Sequence, residues 1–157
     1  MKILITGGAG LVGSHCAEYF AAKKNKVVVV DNLMRSQIFQ SKDKSVEYNW
    51  HYLKGKTNIK LFKNDVRDAK AMDSIFKKEK PDVIMLDVIL PQLDGFSVLD
   101  QIKQDKTTKK IPVIMLTNLG TEEDKAKGEK LGALDYLVKA SLTPGQVSEK
   151  IKQALKV

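Results

Sequence analysis

Glycines 7, 10 and 13 follow a short apolar run in Lys2-Ile3-Leu4-Ile5-Thr6-Gly7-Gly8-Ala9-Gly10-Leu11-Val12-Gly13-Ser14. That spacing permits a tight strand-to-helix turn, lets backbone approach a pyrophosphate, and lets the helix pack close to the strand. The helix beginning near Leu11 would offer unpaired N–H groups and the positive end of its dipole to phosphates. Asp31 ends the next apolar run, about 20 residues on, where a carboxylate can bind an adenosine ribose hydroxyl. A strand-terminal turn residue is the plainer role for Asp31; the glycines tip the balance toward a nucleotide.

The elements that must position these groups alternate along the whole chain. Lys2–Thr6, Lys26–Val30, Ile59–Lys63, Asp82–Asp87, Ile111–Thr117 and Asp135–Val138 are short runs rich in Val, Ile and Leu. Nearly continuous apolar runs of this length suit strands buried on both faces of a parallel sheet. Between them lie helical spacings: Met72, Ile75 and Phe76 share a face, as do Phe96, Leu99 and Ile102, and Val147, Ile151, Ala154 and Leu155. Thr143-Pro144-Gly145-Gln146 reads as a capping box with Pro at the first helical position, and Thr121 caps the helix before that one. Residues 36–57 read as a long loop containing one helix. The alternation implies an α/β layered fold with right-handed crossovers.

Composition narrows the classes. With 157 residues, 43% hydrophobic and 29% charged, the chain is expected to form one domain with a proper core. A single Cys and two His leave neither a disulfide framework nor a Cys/His zinc cluster. No apolar stretch approaches the ~18 residues that span a bilayer, and glycines break the opening segment too early for a signal peptide. A cytoplasmic domain with no membrane partner is expected. The net charge of +8 falls entirely within residues 1–80. Lysine-coated solvated faces account for it, and with no recognition motif no specific nucleic-acid partner is expected.

The first half resembles the extended short-chain dehydrogenase/reductases, particularly nucleotide-sugar epimerases. The resemblance rests on Thr6-Gly7-Gly8-Ala9-Gly10-Leu11-Val12-Gly13, Asp31-Asn32-Leu33 and Asn64-Asp65-Val66-Arg67-Asp68, in order over residues 1–83. It implies NAD binding along Gly7, Gly10, Leu11, Val12, Gly13 and Asn32, with Asp31 at the adenosine ribose and Asp65-Val66 beside the adenine. Arg35 stands either near that ribose or as a solvated loop arginine.

The second half, residues 80–157, resembles a response-regulator receiver domain. Pro81-Asp82-Val83-Ile84-Met85-Leu86-Asp87 and the segment to Gly95 look like that family's phosphoacceptor strand and loop. Ile111-Pro112-Val113-Ile114-Met115-Leu116-Thr117 and Asp135-Tyr136-Leu137-Val138-Lys139-Ala140 match its next two strands. The resemblance makes Asp87 the phosphoacceptor, Thr117 the switch hydroxyl and Lys139 the phosphate-binding lysine. A carboxylate nucleophile, a hydroxyl and an ammonium at adjacent strand ends form a sensible chemical set.

Each resemblance is incomplete. The receiver family places an acidic pair after its first strand to hold magnesium, and this chain has Thr6-Gly7-Gly8 there. The epimerase family needs Tyr-x-x-x-Lys; that spacing occurs at Tyr19 and Lys23 and at Tyr52 and Lys56, both in the first half, whereas Tyr136 in the second half has no Lys four residues later. Joined near Lys80-Pro81-Asp82-Val83-Ile84, the halves 1–83 and 84–157 predict one domain with a three-layer, doubly wound, Rossmann-like parallel sheet in the order 3-2-1-4-5-6. The expectation is an engineered fold chimera with no catalytic activity, no catalytic residues and no metal. Asp87-Val88-Ile89 would crowd the dinucleotide path, leaving weakened NAD binding or none, with an adenine nucleotide or dinucleotide as its partner. The alternatives are a receiver-like phosphoacceptor module using Asp87, or a fragment of an NAD-dependent epimerase or reductase.

Overall fold

The computed structural model describes residues 1–35, 44–87, 89–90, 93–118 and 120–156, with backbone alone at 89–90 and 93–94. Six strands form the sheet: β1 (Lys2–Thr6), β2 (Lys26–Asp31), β3 (Ile59–Lys63), β4 (Val83–Asp87), β5 (Val113–Thr117) and β6 (Asp135–Val138). All neighbours are parallel and the spatial order is β3-β2-β1-β4-β5-β6. This is the predicted order, with the reversal of winding lying between β1 and β4. Two-residue strands at Ile89–Leu90 and Leu93–Asp94 pair antiparallel beyond the end of β4.

The helices are α1 (Leu11–Ala22), α2 (Ser45–Lys54), α3 (Ala69–Glu79), α4 (Gly95–Gln104), α5 (Glu122–Lys130) and α6 (Pro144–Ala154). Alternate strand residues feed two cores. Ile3, Ile5, Val27, Val29, Val83, Met85, Ile114 and Leu116 pack with Cys16, Ala17 and Phe20 of α1, Leu53 of α2, and Val147 and Ile151 of α6. Leu4, Val28, Val30, Ile84, Leu86, Val113 and Met115 pack with Met72, Ile75 and Phe76 of α3, and Phe96, Leu99 and Ile102 of α4. A sheet covered on both faces has no solvated side at its centre, which is why β1, β2, β4 and β5 read as nearly unbroken apolar runs.

Local signals set the element ends. Asp68 caps α3 by accepting from the Ala71 amide, and Thr121 caps α5 by accepting from the Asp124 amide. Thr143 and Gln146 form the expected capping box at α6, with Pro144 in the first turn. The expected loop over 36–57 contains α2; residues 36–43 of it lie outside the described residues. Among the described residues, no helix is long and apolar enough to cross a membrane.

Candidate functional site at the C-terminal edge of the sheet

The parallel strands bring the ends of β1, β4, β5 and β6 together at one edge. Asp87 ends β4 and Lys139 follows β6; the Lys139 Nζ donates to Asp87 Oδ2 at 2.5 Å. Both side chains are mostly buried, at 14% and 15% exposure. An ammonium–carboxylate contact so shielded from water is charge-assisted and less screened than a surface pair. Thr117, at the end of β5, is in register with Val138 and fully buried.

Thr6 ties the two central strands together at this point. Its hydroxyl accepts from the Asp87 amide at 2.9 Å and lies 3.4 Å from the Met85 carbonyl, to which it donates. Sequence reasoning gave Thr6 no role of its own. The usable signal was a hydroxyl residue closing β1 in a topology that makes β4 its neighbour.

The glycine turn follows Thr6 directly. Gly7 is in the left-handed region (φ 61°), and a Cβ on it would lie 3.2 Å from Asp87 Oδ2. The Gly7 amide donates to the Val30 carbonyl, and the Gly10 amide donates back to the Gly7 carbonyl. Gly13 lets α1 close on the turn, since a Cβ there would lie 2.6 Å from the Gly7 carbonyl oxygen. Leu11 is largely exposed, and Val12 packs partly against the first core.

Asp31 braces that turn. Its Oδ2 accepts from the Ala9 amide at 3.0 Å and its Oδ1 from the Leu33 amide at 2.8 Å. Burial pushes its carboxyl above the ordinary range, and the nearby Asp87 charge adds to the shift; the two amides and Arg35 oppose it. Arg35 sits over the turn, its Nη1 3.7 Å from where a Cβ on Gly10 would stand.

Asn32, Asp65 and Val66 meet beside this turn, as the sequence grouped them. The space they line with Gly7, Asp31 and Arg67 has a volume of only about 40 Å³. Arg67 fills one side: its Nε and Nη2 donate to Asp65 at 2.8 and 2.5 Å, and Asn32 Nδ2 donates to the same carboxylate at 3.1 Å. Hydrogen bonds from Arg67 hold the Asp65 pKa down at about 2. A small-molecule site is typically ~300–1,000 Å³, and this space is smaller because Arg67 and Asn32 both reach into it to hold Asp65. Val88, expected to crowd a dinucleotide, lies outside the described residues.

Comparison with known proteins sorts these features. The model of the response regulator receiver domain matches residues 51–152, and that of GDP-mannose 4,6 dehydratase matches residues 4–86. The probable transcriptional regulator ycf27 of Guillardia theta is 29% identical over 147 residues, covering 93% of this chain and 51% of that protein. The alkaline phosphatase synthesis transcriptional regulatory protein PhoP of Bacillus subtilis is 40% identical over 102 residues, covering 63% and 41%. The chain thus spans about half, or less, of the length of these two curated relatives. Among solved structures, the receiver domain of Klebsiella pneumoniae RstA superposes over the whole of both chains, with a TM-score of 0.63 at 20% identity. The dTDP-glucose 4,6-dehydratase of Bacillus anthracis covers 74% of this chain and 37% of its own, with a TM-score of 0.58 at 20% identity. At these identities the superpositions speak to the fold alone.

These findings correct the expectation of an engineered chimera keeping a weakened NAD site. The receiver match begins at residue 51, well before the expected join at 80–84, and takes in the last turn of α2 and all of β3 and α3. The ycf27 similarity runs across the same join over nearly the whole chain.

Proposed function

Because the chain belongs to the response regulator receiver domain family, we propose that it is a receiver-type phosphoacceptor module whose reactive group is the Asp87 carboxylate. The observation that carries this reading is the Lys139–Asp87 contact at the sheet edge. A donor of the acyl-phosphate or phosphoramidate class supplies the phosphoryl group. A carboxylate oxygen of Asp87 bonds to phosphorus, the donor's P–O or P–N bond breaks, and the donor leaves with that electron pair. Asp87 becomes a mixed anhydride, and the Lys139 ammonium lies beside the charge that the phosphoryl oxygens bring. Thr117, buried at the next strand end, is the hydroxyl that reports the change to the rest of the fold. The glycine turn and Asp31 hold β1 and α1 in place around the acceptor. The module itself turns over no substrate.

Thr6-Gly7-Gly8 supports a second reading. With no carboxylate there, the Asp87–Lys139 pair is already neutral as it stands, and the domain would act as a docking module without phosphorylation. Incubation with acetyl phosphate, followed by intact mass spectrometry, separates the two. The phosphoacceptor reading expects one hydroxylamine-labile phosphoryl adduct per chain, absent from Asp87→Asn. No adduct, or an adduct that survives Asp87→Asn, would overturn it.

A further inference from the structure

Receiver domains are expected to hold a divalent cation beside the acceptor carboxylate, and the described residues around Asp87 do not fit one. Mg²⁺ is bound through one or two carboxylates in near-octahedral oxygen geometry. Among the described residues, no three His, Cys, Asp or Glu side chains converge on a metal position. Asp31, the carboxylate whose charge is felt from Asp87, has its oxygens on the Ala9 and Leu33 amides. Gly7 lies against Asp87 Oδ2 and has no side chain to offer. At Gly8 a Cβ would lie 2.6 Å from Val29 Cγ1, so a carboxylate there would have to displace a core valine. Lys139 already holds Oδ2 at 2.5 Å, and a cation at that oxygen would face an ammonium.

We propose that the Asp87 site works without a divalent cation, with Lys139 supplying the positive charge and the β1–α1 turn occupying the cation's place. This rests on the reading of Asp87 as the phosphoacceptor. Thr6 completes the arrangement by spending its hydroxyl on the Asp87 amide and the Met85 carbonyl rather than on a ligand.

The test has two arms. In the first, Mn²⁺ is titrated by calorimetry and water-proton relaxation into wild type, Gly7→Asp and Gly7→Asn. Asp and Asn tolerate the left-handed conformation better than most residues, so Gly7→Asn controls for strain without adding charge. Wild type and Gly7→Asn are expected to show no saturable binding up to about 10 mM, while Gly7→Asp tightens binding by about tenfold or more. Saturable wild-type binding that Asp87→Asn abolishes would overturn the proposal, whether or not Gly7→Asp folds. In the second arm, the acetyl phosphate adduct is measured with Mg²⁺ and with EDTA. Equal adduct in both supports the proposal; adduct only with Mg²⁺ overturns it while leaving Asp87 as acceptor. No adduct in either overturns the acceptor reading instead, and the Mn²⁺ titration alone then decides whether the site excludes the cation.

Discussion

Lys139 crosses 52 residues of sequence to place its Nζ 2.5 Å from Asp87 Oδ2, with both side chains mostly buried. Removing the lysine would leave a shielded carboxylate without its cation. Lys139→Met is expected to lower stability by about 1–3 kcal/mol, read as a fall in urea midpoint with unchanged slope. Lys139→Arg should recover part of the loss. A Lys139→Met midpoint equal to wild type would mean that the pair is solvated and contributes nothing.

Gly13 is the position where α1 comes closest to the turn. A methyl group there would press on the Gly7 carbonyl oxygen and on Gly8 Cα at 2.7 Å. Backbone cannot swing aside as a side chain can, so Gly13→Ala is expected to destabilise by about 1–3 kcal/mol as an overpacked site. Gly145→Ala is the control, because a Cβ there has nothing within 4 Å.

Glu79 closes the opposite edge of the sheet. Its carboxylate, 1% exposed, accepts from Lys60 at 3.1 Å and Lys2 at 3.2 Å. Burial works against its charged form, and the two ammonium groups outweigh that, so its pKa lies below the ordinary glutamate value. A lowered carboxylate stabilises the fold above the unfolded-state pKa, and that contribution is lost as pH falls through the folded-state value. Glu79→Ala should therefore cost about 1–3 kcal/mol at neutral pH, with the gap to wild type narrowing in acid. A gap independent of pH would refute the ion-pair account.

Cys16 faces the first core, fully buried, and accepts a hydrogen bond from the Ser148 hydroxyl. Burial raises its thiol to about 11. Since the thiolate is the nucleophile, Ellman's reagent at pH 8 should react with the native chain only as fast as it opens, and promptly in denaturant. Prompt stoichiometric reaction in buffer would contradict the packing of α1 against α6.

The sheet was legible because β1, β2, β4 and β5 are buried on both faces and so announce themselves as apolar runs, while the edge strand β3 keeps Lys60 and Lys63 exposed. Caps such as Thr143 with Gln146 were equally local and equally readable. The two-residue pairing of Ile89–Leu90 with Leu93–Asp94 is too short for any periodicity to reveal. Lys2 and Lys60 meet Glu79 only because β1 and β3 flank β2 in the sheet, an adjacency no local pattern contains. The family boundary was misplaced for a related reason. The residues that carried the receiver resemblance, Asp87, Thr117 and Lys139, lie at the ends of β4, β5 and β6, whereas α2, β3 and α3 carry patterns that any doubly wound sheet shares. Asp31 illustrates the limit at the site: spacing brought it to the glycine turn, but not to the Ala9 and Leu33 amides that it holds.

The central claim is that the chemistry of this chain is centred on Asp87. Backbone amide NMR of the uniformly ¹⁵N-labelled chain, with phosphoramidate added first without and then with Mg²⁺, tests it most directly. The account predicts the largest shifts at Thr6, Gly7, Asp87, Thr117 and Lys139, all lost in Asp87→Asn. An unchanged spectrum under both conditions, or shifts confined to Asn32, Asp65 and Arg67, would contradict it.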